Sequence, residues 1–142
     1  MKEVFGNVWI YPANIICIPT NGYIKRDEKA VMGAGVAKQA RDRYRAFELE
    51  TILGRQLKKH GNHITYLTPW LISFPVKYRW SDPADPMLIR MSAQELADLQ
   101  DSSLIYVLPR PGCGNGQLKW EDIKPILEPI LPDNIHVIDF KE

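Results

Sequence analysis

Two glycine-rich turns hold the residues best suited to chemistry. Met32-Gly33-Ala34-Gly35-Val36-Ala37 precedes a helical pattern, and Pro111-Gly112-Cys113-Gly114-Asn115-Gly116-Gln117 follows an apolar run of strand length. Lacking a Cβ, glycine lets backbone N–H groups close on a phosphate, and a helix N-terminus adds roughly half a positive charge. In an open α/β sheet both turns fall at strand ends, where ligands bind. A diphosphate held between them fits. One such cluster alone is also what a tight turn needs; two in one small domain favour the ligand. Neither turn is a standard nucleotide fingerprint, since GxxxxGK[ST] is missing and GAGVAK lacks the third glycine of GxGxxG. That argues against Walker-type NTPases and ordinary dinucleotide folds.

Other reactive side chains carry less. His60, His63 and His136 have no Cys or carboxylate neighbours at metal-ligand spacing, so no metal site is expected. Cys113 lies in the second turn with no histidine near it in sequence, which reads as a small structural residue rather than a nucleophile. Cys17 and Cys113 are far apart and are expected as free thiols of a reducing compartment. Trp80 and Trp120 could stack on a base, but packing is the simpler role, for Trp120 above all.

Composition sets the frame for these residues. The chain has 142 residues, 18 Lys+Arg against 17 Asp+Glu, and 45% hydrophobic residues. That suits a single domain over 1–142 with one buried core and excludes disordered and fibrous classes. The longest purely apolar run, Ile15 to Ile18, is far below the ~20 residues of a membrane span. The first residues lack a secretory pattern, so a cytoplasmic protein is expected. Charge is uneven: Lys38 to Lys59 holds seven basic residues against three acidic, and Lys119 to Glu142 three basic against six acidic. The basic stretch reads first as a solvated helix face and second as a flank that steers a phosphate-bearing ligand.

The elements that must position the turns follow from periodicity. Ile15–Ile18, Ile64–Leu67, Leu104–Leu108 and Ile135–Ile138 are nearly continuous apolar runs of strand length, as parallel strands covered on both faces require. Further strands are expected over Val4–Ile10 and Leu71–Phe74. Ala37, Ala40, Tyr44 and Phe47, then Leu49, Ile52, Leu53 and Leu57, predict two amphipathic helices joined near Phe47. Ser92 and Glu95 form a capping-box pattern that predicts a helix from Ser92 to about Leu99. Trp120 to Ile130 gives another helical stripe, with Pro125 and Pro129 expected to kink or shorten it. This alternation predicts a three-layer α/β domain with right-handed crossovers.

With the turns in this order, the chain resembles the macrodomains, which bind ADP-ribose and often hydrolyse its conjugates. The match covers nearly the whole chain. Pro19-Thr20-Asn21-Gly22 followed by Val31-Met32-Gly33-Ala34-Gly35-Val36-Ala37-Lys38 resembles the family's first loop, of the VMGxGxA type. Pro109 to Trp120 resembles its second loop, of the GCGxGxLxW type. Ser73-Phe74-Pro75-Val76-Lys77-Tyr78-Arg79-Trp80 resembles the FPxKxxW segment of one branch. That branch contains antitoxin macrodomains that remove ADP-ribose from DNA, and its relatives include terminal ADP-ribose protein glycohydrolases.

The resemblance implies an α/β/α macrodomain with a mixed, largely parallel sheet, and removal of ADP-ribose without a cofactor. It implies ADP-ribosylated DNA as substrate, or protein as second choice, with a partner ADP-ribosyltransferase and a monomeric state. Asn21 would hold the distal ribose. Met32, Gly33, Ala34, Gly35, Val36 and Ala37 would hold the diphosphate from one side, and Gly112, Cys113, Gly114, Asn115 and Gly116 from the other. Lys77 would be the catalytic lysine, assisted by Asn21: a desolvated amine can attack an opened ribose aldehyde as a Schiff-base nucleophile. Without the motif around it, Lys77 would read as an exposed surface lysine. Asn7 stands where many macrodomains carry an adenine-binding aspartate, and its amide carbonyl can accept the same hydrogen bond without the charge. Gly116 stands where the protein glycohydrolases place an aspartate, as in the DNA-directed branch, and Tyr23 to Lys29 form an insertion before the first glycine turn. A non-catalytic ADP-ribose reader, an ADP-ribose 1″-phosphate phosphatase and a protein that sequesters a nucleotide signal are the alternatives.

Overall fold

The computed structural model describes residues 1–140. Six strands form one sheet: β1 (Lys2–Phe5), β2 (Ile15–Asn21), β3 (Thr65–Thr68), β4 (Leu71–Lys77), β5 (Tyr106–Pro109) and β6 (Ile135–Asp139). Their order is β1-β6-β5-β2-β4-β3, parallel throughout except for the antiparallel β3–β4 pair. The helices are α1 (Gly35–Arg43), α2 (Leu49–His60), α3 (Pro86–Leu99) and α4 (Trp120–Leu127), with a 3-10 turn over Arg45–Phe47. The expected mixed, largely parallel α/β sheet is what forms.

Alternation along the strands sorts the core into two faces. Cys17, Ile72, Phe74, Val76, Tyr106 and Leu108 point to the side covered by α3 and α4, with Ile89, Leu96, Ile123 and Leu127 opposite. Ile18 and Leu71 point to the other side, against Ala37, Ala40, Leu53 and Leu57 of α1 and α2. Trp120 is half-buried against the first core and donates its indole N–H to Glu3 at 2.8 Å.

Two expectations are corrected. β1 ends at Phe5 instead of running to Ile10: the Asn7 carbonyl accepts from Ile10 and Tyr11 N–H at 3.1 and 3.0 Å, turning the chain. Val8 and Trp9 then cover Val107 and Ile138 where no helix reaches. The third helix begins at Pro86, with the Asp85 carboxylate accepting from Met87 N–H at 2.9 Å, a cap followed by proline at the first turn. Ser92 is therefore mid-helix and buried, donating to Pro75 O at 2.6 Å, while Glu95 accepts from Ile64 N–H instead of capping. α4 stops at Leu127, as its two prolines lead one to expect.

The inserted segment between β2 and α1 is docked on α2. Ala30 N–H donates to Glu50 O at 2.9 Å, and Glu28 pairs with Lys58. Gly54, buried in α2, permits this approach, because a Cβ there would overlap Glu28 O and press on Ala30 N and Lys29 Cα. At an unobstructed helix position Gly54→Ala would gain about 1 kcal/mol. Overlap with backbone costs about 1–3 kcal/mol, so the substitution is expected to destabilise the fold. Urea denaturation at constant m-value measures the sign; a more stable variant would refute the close approach.

Candidate functional site

β2, β4 and β5 all end at one side of the sheet, and β2 lies where the direction of the connections reverses. The connection from β2 runs through α1 and α2 on one face; the one from β4 runs through α3 on the other and returns past β2 to β5. Their loops diverge at that switch point and leave a crevice. It encloses about 820 Å³ and is lined by Pro19, Thr20 and Asn21 from β2, Val76 and Lys77 from β4, Pro109 from β5 with Arg110 just after it, and both glycine turns.

The first turn presents Gly33, Ala34, Gly35, Val36 and Ala37 to the cavity. Ala34 is the N-cap of α1 and offers no capping side chain, and the first turn holds no acidic residue. The leading N–H groups of α1 thus have no side-chain oxygen on them and lie beside the crevice, the positive end of the helix dipole included. The second turn presents Gly112, Gly114, Asn115 and Gly116. Gly112 has φ +76°, and a Cβ there would meet Ile89 and Ala84 at 2.8 and 2.9 Å, so any other residue would push the loop off α3. The two turns meet where the Asn115 side-chain amide lies on Gly35: a Cβ on Gly35 would be 2.8 Å from Asn115 Nδ2.

Lys77 bridges the opposite wall. Its ammonium donates to Asn115 O at 3.3 Å and Trp80 O at 3.5 Å, which places the charge between β4 and the second glycine turn. A bulge between Thr20 and Asn21 brings Asn21 into register with Lys77. Asn21 Nδ2 donates to Val31 O at 3.0 Å and its Oδ1 accepts from Tyr23 N–H at 3.1 Å. The amide ties the two ends of the insertion together, with one N–H and one lone pair left over.

Three of the expected residues are not brought to the wall. The Asn7 side chain accepts from Trp9 N–H at 2.9 Å within its own turn. Met32 is buried in the core beneath α1 and α2 and anchors the first loop from below. Cys113 packs on the other core, and burial pushes its thiol up to about 11, against a smaller lowering effect of Arg110. His63 engages Glu95 and His136 engages the Tyr11 hydroxyl, and among the described residues no group of three metal-ligating side chains comes together.

The sequence reading missed Tyr23, Lys25, Thr20 and Arg110 as wall residues, and Trp80, for which packing was the simpler role, also lines the crevice. Arg110 directly precedes the second glycine turn, a signal that was available. It pairs with Asp139 at 3.3 Å and lies 4.7 Å over the Trp120 ring, while its Nε is buried without a partner. The charged wall residues among those described are Lys25, Lys77 and Arg110, with no carboxylate. The basic residues of Lys38 to Lys59 do not line the crevice, as the solvated-face reading has it. Three cations, a bare helix N-terminus and two glycine turns make the crevice fit an extended polyanion such as a diphosphate.

Comparison with solved structures gives the class of fold. The macrodomain of Mycobacterium tuberculosis DarG superposes with TM-score 0.77 at 22% identity, covering 99% of this chain and 97% of that one. The macrodomain of Thermus aquaticus DarG gives 0.76 at 20%, covering 99% and 97%. Thermosipho africanus DarTG in complex with ADP-ribose gives 0.75 at 15%, covering 99% of this chain and 42% of that one. No protein-family model matches the sequence, and no curated protein matches it. The chain has the macrodomain fold over essentially its whole length. Among the described residues no helix is long and apolar enough to cross a membrane.

Cys113 serves as a probe of loop burial. A thiol raised to about 11 is expected to react with iodoacetamide at pH 7.5 on the order of a hundredfold more slowly than an ordinary free thiol near 8.5. Its rate should climb as pH approaches 11. Mass-resolved alkylation of folded against urea-unfolded chain reads this, and equal rates would show an open loop.

Proposed function

We propose that the chain belongs to the macrodomain family, binds ADP-ribose in the crevice, and hydrolyses the bond joining ADP-ribose to an acceptor, a nucleobase of DNA first and an acidic protein side chain second. The observation that carries the reading is the contact of Lys77 with the second glycine turn at the end of β4, where it is paired with Asn21 of β2. In support stand the cationic wall without carboxylates, the resemblance of the FPVKYRW segment to the DNA-directed branch, and the fold shared with a structure solved with ADP-ribose.

The diphosphate lies along the N–H groups of Gly35 and Val36 and the second turn, and the distal ribose reaches the free amide positions of Asn21. Lys77 then stands at the anomeric carbon. Its amine attacks C1″ of the opened sugar, the bond to the acceptor breaks, and the acceptor leaves with a proton. Water cleaves the resulting imine, which returns the lysine and releases ADP-ribose. The net change is addition of one water across the ADP-ribosyl bond. The rival is a reader that binds and does not cleave.

Lys77→Ala is expected to reduce release of ADP-ribose from ADP-ribosylated DNA at least a hundredfold, with affinity for free ADP-ribose held within about tenfold, near 1.4 kcal/mol. Chromatography of released ADP-ribose and calorimetric titration measure the pair. Unchanged turnover in the variant would end the lysine mechanism, and binding without turnover in the natural chain would favour the reader.

A further inference from the structure

The insertion Tyr23 to Lys29, closed by Ala30 into a hairpin over residues 23–30, contributes Tyr23 and Lys25 to the crevice wall. Ile24 bridges Ala30, Lys25 N–H donates to Lys29 O at 2.9 Å, and Glu28 N–H returns to Lys25 O at 2.9 Å, closing a small hairpin. The hairpin is fixed at both ends. Gly22 N–H donates to Lys77 O at 3.0 Å and Tyr23 N–H to Asn21 Oδ1, while the far side rests on α2 through Glu50, Lys58 and Gly54. A docked hairpin of this kind presents its side chains in set positions.

Those side chains are Tyr23 and Lys25, which line the same crevice as Lys77 and Trp80. Tyr23 and Trp80 keep 40% and 56% of their surface exposed, although they are large rings that gain by being covered. Lys25 has its ammonium 3.8 Å from Asp27, a solvated pair that leaves the charge available. Two open rings and a cation, with no carboxylate on the wall, suit a planar aromatic group carrying a neighbouring phosphate. They suit an acidic peptide less, because a carboxylate uses the cation and leaves both rings bare. A base already stacked in a duplex has no free face to offer, so the partner is unpaired.

Resting on the hydrolase reading above, we propose that the 23–30 hairpin is the acceptor-side subsite. Tyr23 and Trp80 take the base and Lys25 the adjoining phosphate, selecting ADP-ribose attached to single-stranded nucleic acid. Tyr23 and Lys25 are thereby specificity residues and not catalytic ones.

The test measures dissociation constants in a Lys77→Ala background, so that ligands survive, for free ADP-ribose, an ADP-ribosylated single-stranded oligonucleotide and an ADP-ribosylated glutamate peptide. The oligonucleotide is expected to bind at least tenfold more tightly than free ADP-ribose. Tyr23→Ala and Lys25→Glu should each remove most of that advantage, and Lys25→Glu should flatten its salt dependence. Far-ultraviolet circular dichroism and affinity for free ADP-ribose check that both variants fold. Equal affinity for oligonucleotide and free ADP-ribose, or equal losses on oligonucleotide and peptide, overturns the subsite. Failure of free ADP-ribose itself to bind overturns instead the reading on which the subsite rests.

Discussion

The carbonyl oxygen of Lys77 accepts from Gly22 N–H and from the Asn62 side-chain amide, each at 3.0 Å, and the binding end of the sheet is organised around it. Pro75 sits in β4 two residues earlier, opposite Thr20, and proline offers the ladder no N–H. The strands would be free to part there. Instead a bulge shifts the register between Thr20 and Asn21, and the pairing resumes one step later at Lys77. Asn21 and Lys77 end up side by side because of that irregularity, and the chain leaves β2 already aimed along the crevice.

Two glycine contacts transmit this arrangement to the helices. Gly54 allows the inserted hairpin to lie on α2, and Gly112 allows the second turn to lie on Ile89 and Ala84 at the start of α3. Each loop is thereby seated on a different core, one beneath α1 and α2 and one beneath α3 and α4. The crevice is the gap between two separately packed halves whose loops touch at Gly35 and Asn115. Its width is a property of how the helices pack on the sheet as much as of the loops themselves.

Much of the fold was legible because buried parallel strands are written as short apolar runs, and Cys17, Ile72, Val107 and Val137 sit in such runs. The errors share a cause. Val8 and Trp9 are apolar because they cover a sheet face, and periodicity alone does not separate that from a strand continuing past Phe5. Ser92 matched a capping box, yet the Asp85-Pro86 pair was the stronger start signal and left Ser92 to satisfy a carbonyl across the core. At the site, the glycine turns were readable from their spacing, and Lys77 only through the resemblance of the segment around it. Tyr23 and Lys25 were not, because their position depends on a long-range contact between the insertion and Gly54, which no local pattern records.

The charge of the crevice also has a local origin. The chain as a whole carries +1, too little to draw a polyanion from a distance. The crevice lining carries no carboxylate: Asp139 and Glu3, which do not line it, pair with Arg110, and Glu28 pairs with Lys58. The exposed Glu28–Lys58 pair adds little to stability. The consequence of these pairings is one of sign, since the same acids turned inward would oppose a diphosphate at the N-terminus of α1, where the backbone N–H groups of Gly35 and Val36 invite one.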